Sequence, residues 1–105
     1  MLYTWTEVEQ QILSLLEDGK ITEITIGERQ ICLLKKGEQL YAFAATCPHQ
    51  GARLCEGWLD AQGRIVCHLH KYRFDPANGR NTSGEGYKLR TYPIAIRDGK
   101  IFIGL

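Results

Sequence analysis

Two short segments carry residues whose types and spacing suit metal chemistry: Cys47-Pro48-His49 and, after seventeen intervening residues, Cys67-His68-Leu69-His70. Each brings a thiol and an imidazole close together in sequence. Thiolates and imidazoles are ligands for soft and borderline metal ions. Zinc fingers and ribbons usually group like ligands, as C-x₂₋₄-C and H-x₃₋₅-H pairs. Here each pair is mixed. Two centres accept this donor set: a tetrahedral zinc ion, and a [2Fe–2S] core with both histidines on one iron. A loop that gives its cysteine to one iron and its histidine to the other suits the two-iron centre better.

The elements around these segments must bring them to a common point. Residues 40–45 alternate as a strand, with Tyr41 and Phe43 on one face and Ala42 and Ala44 on the other, and they lead into Cys47. Ile65 and Val66 form a short apolar step after the Gln62–Gly63 turn and lead into Cys67; Tyr72 with Phe74 form another. Ile21, Ile24 and Ile26 precede a turn at Gly27, and residues 31–34 run to a turn at Lys35-Lys36-Gly37-Glu38. Residues 89–96, the Asp98–Gly99 turn and residues 101–103 read as a C-terminal hairpin. Many short strands with glycine-rich turns predict an all-β fold, an antiparallel sandwich or small barrel. Two adjacent loops at one end would then present both pairs. The N-terminal segment has two readings: a helix over residues 6–17 opened by a Thr6/Glu9 capping box, or a strand over residues 3–8.

The chain of 105 residues is expected to form one domain, 1–105, with the metal-binding part at about residues 46–80. Thirteen basic and twelve acidic side chains leave a net charge of +1. That balance excludes a strongly basic nucleic-acid binder or a polybasic membrane-surface protein. The N-terminus lacks the basic start and unbroken apolar stretch of a secretory signal, so a cytoplasmic location is expected, with no membrane partner. In a reducing compartment paired cysteines among the four read as metal ligands or redox groups rather than disulfides.

The segment Cys47-Pro48-His49-Gln50-Gly51-Ala52-Arg53-Leu54, the glycine at Gly57, and Cys67 to His70 followed by Tyr72, Phe74, Asp75 and Gly79 resemble the Rieske-type [2Fe–2S] ferredoxin family. The resemblance implies a Rieske-like fold with a cluster-binding subdomain formed by two loops. It implies one [2Fe–2S] cluster per chain, held by Cys47, His49, Cys67 and His70. It also implies a soluble one-electron carrier, not an enzyme by itself, working between a flavoprotein reductase and a terminal oxygenase. The alternative redox role is the small Rieske-like subunit of an assimilatory nitrite reductase. The alternative from another class is a zinc-stabilised binding module. One departure is His68, where the family often has proline; it reads as a loop residue at the cluster rim.

High-potential members of the family link the two loops by a disulfide and donate hydrogen bonds to sulfur from a serine and a tyrosine. By the same resemblance those positions hold Ala52 and Leu69, and Tyr72 and Phe74. A low potential is therefore implied. Cys32, in an apolar run, reads as a buried core thiol. Cys55 reads as structural, Trp5 and Trp58 as packing residues with Trp58 bordering the cluster end, and residues 81–86 as a glycine-rich third loop before Tyr87.

Overall fold

The computed structural model describes residues 3–48, 53–68, 71–82 and 88–105. The chain runs through β1 (Trp5–Glu7), α1 (Gln10–Leu15), β2 (Ile21–Ile26), β3 (Arg29–Lys36) and β4 (Gln39–Ala44). A 3₁₀ turn (Leu54–Glu56) leads to β5 (Trp58–Leu59), β6 (Ile65–Val66) and β7 (Arg73–Phe74). The remainder is β8 (Thr91–Tyr92), β9 (Ile94–Arg97) and β10 (Lys100–Gly104). They form three antiparallel sheets, ordered β2-β3-β4-β8, β1-β10-β9 and β5-β6-β7. The expected all-β architecture is what the chain adopts.

The organising strand is β3. Ile31, Cys32, Leu33 and Leu34 form an unbroken apolar run, and a strand of that kind is buried on both faces. Ile31 and Leu33 join Val8, Ile24, Ala42 and Ile103 in one core, shared with the β1-β10-β9 sheet. Cys32 and Leu34 join Phe43, Leu54, Ile65, Phe74 and Leu89 in a second, shared with the β5-β6-β7 sheet. The larger sheet is therefore the middle layer, and the second core is the floor on which both Cys/His loops stand.

The N-terminal segment combines the two readings. Thr6 is paired with Ile103 inside β1, so it cannot cap a helix. The helix starts later and is shorter, capped at Glu9 with no side-chain bond. The C-terminal stretch is also not one strand. Proline at position 93 has a fixed φ and no N–H, so it cannot continue a central ladder. The chain changes sheets there: β8 pairs with β4, and β9 pairs with β10. The hairpin itself turns at Asp98 and Gly99, both left-handed at φ 53° and 74°, as a two-residue primed turn requires. Among the described residues no helix is long and apolar enough to cross a membrane.

Candidate metal centre

Strand β4 runs out at Ala44, and three residues later the chain reaches Cys47. The loop that begins there is closed at its base. Thr46 and Arg53 form an antiparallel bridge, and the Leu54 N–H donates to the Ala45 carbonyl at 2.8 Å. Leu54 is fully buried, which plugs the returning arm into the second core. The second loop is built the same way. Strand β6 ends at Val66, and the Cys67 N–H donates to the Tyr72 carbonyl at 2.8 Å before β7 begins. Two hydrogen-bonded loop bases thus stand side by side on one floor.

The cysteines of the two pairs belong to that floor. Cys47 is 2% exposed and Cys67 1% exposed, and both belong to the same apolar cluster. Neither is bridged to another cysteine. His49 and His70, the other members of the pairs, lie outside the described residues, as do Ala52, Leu69 and residues 83–86 of the expected third loop.

The remaining cysteines separate clearly. Cys32 is fully buried under the middle sheet. Burial, with smaller contributions from nearby Cys55 and Glu23, pushes its thiol up to about 12. It is a core thiol, as expected. Cys55 is half-buried and donates to Glu23 Oε1 at 3.4 Å. Burial, then that hydrogen bond, raises its pKa as well.

His68 sits in the turn after Cys67, with Nε2 3.7 Å from Glu56 Oε2. Its Nδ1 is buried with no hydrogen-bond partner among the described residues. Trp58 and Trp5 are each 45% exposed, with Trp5 tilted against the Tyr3 ring and Trp58 under the Lys71 ammonium. Trp58 lies at the cluster-loop end, opposite Val66 in the β5–β6 ladder.

Asp60 has no counterpart in the sequence-based expectations. Its Oδ1 accepts the Gln62 and Arg64 amides at 2.9 Å each, and its Oδ2 faces Arg64 Nε at 2.9 Å and Arg73 Nε at 3.3 Å. One carboxylate therefore ties the β5–β6 turn to β7. The Asp60/Arg64 spacing of four residues was visible in the sequence; the approach of Arg73 was not, because it depends on how β7 folds back.

Comparison with known proteins agrees with this architecture. The profile described as the Rieske [2Fe-2S] domain matches residues 5–93. The ferredoxin component of the alkene monooxygenase system of Xanthobacter autotrophicus is 29% identical over 89 residues, covering 85% of this chain and 73% of that protein. A nitrite reductase [NAD(P)H] large subunit of Klebsiella oxytoca is 35% identical over 83 residues, 75% of this chain but 9% of that protein. Among solved structures, the ferredoxin of carbazole 1,9a-dioxygenase from Nocardioides aromaticivorans superimposes with a TM-score of 0.81 at 26% identity. That match covers 95% of this chain and 96% of the other. The donor chemistry also fits, because two buried, unbridged thiols open two loops, one whose sequence brings His49 and one whose sequence brings His68 and His70. On the profile match over nearly its whole length, the chain belongs to the Rieske [2Fe-2S] domain family, and its cofactor is a [2Fe–2S] cluster of the Rieske type.

Proposed function

We propose that this chain is an electron-transfer ferredoxin whose cluster is held by Cys47, His49, Cys67 and His70, and that it passes single electrons from a flavoprotein reductase to a terminal oxygenase. The observation that carries the reading is the burial of Cys47 and Cys67, both unbridged, in one core cluster at the starts of the two Cys/His loops. When bound, the cluster supplies a one-electron couple, made easier to reduce than an all-thiolate cluster by its two neutral imidazole ligands. The chain's own part is to hold and shelter. Phe43, Leu54, Ile65 and Phe74 exclude water beneath the two sulfurs, and the hydrogen-bonded loop bases fix where each sulfur lies. Similarity to ferredoxin components of oxygenase systems supports the acceptor class. The carrier acts as one domain over residues 1–105, as a cytoplasmic component of a multi-protein system rather than an enzyme by itself.

A second reading has support from the 35% identity to a stretch of a nitrite reductase large subunit: the same domain would deliver electrons for nitrite reduction. Metal content and ligand identity are tested first. Purified protein should contain iron and acid-labile sulfide in equal amounts and give a low-average-g EPR signal when reduced. Alanine at Cys47, His49, Cys67 or His70 should abolish that signal. Cys32→Ser, Cys55→Ser and His68→Gln should retain it. Stoichiometric zinc with no visible absorption after iron–sulfide reconstitution would overturn the reading, and so would bleaching by His68→Gln but not by His70→Ala. Supplying electrons to a purified aromatic-ring dioxygenase or to a nitrite reductase then separates the two acceptors.

A further inference from the structure

Glu23 breaks the pattern of its own strand. Along β2 the side chains alternate, so Ile21, Glu23 and Thr25 share one face while Thr22, Ile24 and Ile26 share the other. Glu23 stands opposite Cys32 in the ladder, and Ile21 and Cys32 belong to the core beneath the metal loops. A carboxylate therefore occupies the sheet face that supports the metal centre, and its side chain is only 18% exposed. A carboxylate so placed is costly unless its oxygens are partnered.

Both oxygens are partnered, and both partners come from the same short segment. Arg53 Nη2 donates to Oε2 at 2.6 Å, and Cys55 Sγ donates to Oε1 at 3.4 Å. The two residues flank Leu54, on the arm by which the first metal loop returns to the sheet. Backbone bonds tie that arm to its own outgoing arm, through the Thr46/Arg53 bridge and the Leu54 N–H to the Ala45 carbonyl. Those bonds close the loop on itself but do not join it to β2. Among the described residues, the side-chain bonds that do so are the ones Glu23 accepts.

We propose that Glu23 is a positioning residue for the metal centre, holding the return arm of the first loop against β2 through Arg53 and Cys55 and so governing how long the cluster is retained. The proposal rests on the cluster reading above. Its role is exerted through the loop rather than on the metal. Glu23 is common to both bonds of the tether, so once Glu23 is gone, removing Arg53 adds little.

The test uses the full chain with its cluster, prepared anaerobically. The rate of bleaching in excess chelator is compared for wild type, Glu23→Ala, Arg53→Ala and the double variant, with Glu17→Gln as an exposed control (its side chain is 70% exposed). Backbone amide exchange is followed in parallel. Glu23→Ala should bleach at least about tenfold faster, with the double variant within about twofold of it. Glu17→Gln should match wild type. Exchange should rise at the Leu54 and Gly57 amides while Leu33 and Phe43, in the central strands, stay protected.

The proposal is overturned if Glu23→Ala bleaches within about twofold of wild type, or if the single effects multiply in the double variant. It is equally overturned if Leu33 and Phe43 lose protection as much as Leu54, since the acid would then merely stabilise the whole fold. Should wild-type chain take up no cluster, the ferredoxin reading fails by itself. The exchange comparison on the cluster-free chain then still decides whether Glu23 tethers the arm.

Discussion

The Lys71 ammonium lies 5.0 Å from the centroid of the Trp58 ring, and the same nitrogen donates to the His68 carbonyl at 3.2 Å. Lys71 thus straps the second loop onto strand β5 from outside, with its backbone in the left-handed region at φ 59°. An exposed cation–π contact contributes about 0.5–1 kcal/mol. A double-mutant cycle of Lys71→Ala and Trp58→Ala should give a coupling of that size by urea unfolding. The left-handed backbone adds a second expectation. Lys71→Gly should be more stable than Lys71→Ala by about 1 kcal/mol, reversing the usual order, because glycine adopts positive φ without steric cost. Equal stability of the two variants would contradict the strap geometry.

Gly57 makes the two cluster-loop segments fit together. A side-chain carbon there would run into the Val66 carbonyl oxygen and lie 3.2 Å from that of Leu54. Its φ of −85° is ordinary, so the demand is for space. Gly57→Ala should therefore push the 3₁₀ turn off β6, the strand that delivers Cys67. The expected cost is about 1–3 kcal/mol, with faster loss of the visible absorbance. Gly27 is the useful contrast: its φ is 61°, but the space around it is open. Gly27→Ala should lose about 1–2 kcal/mol through backbone strain alone and leave cluster retention unchanged.

How much of this was legible in the sequence follows from the range of each interaction. The apolar run Ile31 to Leu34 announced a strand and a buried Cys32, and Asp98–Gly99 announced its hairpin, because these signals are local. The thiols Cys47 and Cys67 stood out for the same reason, each with a histidine close by. The Glu23–Arg53 contact joins residues 30 apart, and nothing in β2 marks its only acid as facing a core. Strand β5 is two residues long, too short for any periodicity, so Trp58 read as a packing residue when it is exposed. Pro93 was visible, but the apolar residues on either side of it fitted a single strand. Only the existence of two sheets competing for the two halves shows why the chain divides there.

Asp60 gives the fold an acid-sensitive point. Its side chain is 12% exposed. Burial alone would raise its pKa, but the Arg64 and Gln62 amides and the Arg64 guanidinium together outweigh it and hold the carboxyl below its ordinary 3.8. A carboxylate with a depressed folded pKa binds fewer protons in the native state than in the unfolded one. Its contribution is therefore present above 3.8 and lost as pH falls through the lower folded value. Asp60→Asn should be less stable than wild type near neutrality, and the gap should narrow steadily below about pH 4. Urea midpoints compared at each pH report the difference between the two proteins, in which the acid lability of the cluster cancels. A gap that widens on acidification would reverse the sign of the argument.

The reduction potential is expected in the lowest part of the Rieske range, within roughly 100 mV of its end at about −150 mV. High-potential relatives place a serine and a tyrosine where this chain has Tyr72 and Phe74. Phe74 is fully buried in the apolar floor beneath the loops and has no donor to offer. Tyr72 packs against the same floor while its backbone carbonyl accepts the Cys67 N–H. A phenol carries its hydroxyl well beyond the reach of a serine Oγ, so substitution at that position moves the donor rather than preserving it. The positions of the loop-bridging disulfide hold Ala52 and Leu69, neither of which has sulfur. Each hydrogen bond to sulfur stabilises the reduced, more negative state, and one to a charged acceptor contributes about 1.5–3 kcal/mol. For a one-electron couple about 59 mV is a tenfold change in equilibrium, or about 1.4 kcal/mol. The donor that Phe74 lacks then accounts for on the order of 60–130 mV, a shift toward the low-potential members. As for low-potential members of the family, the potential should also be nearly flat between about pH 6 and 8. Protein-film voltammetry measures both. A potential above about +150 mV, or a slope near 59 mV per pH unit around neutrality, would place the chain with the high-potential members.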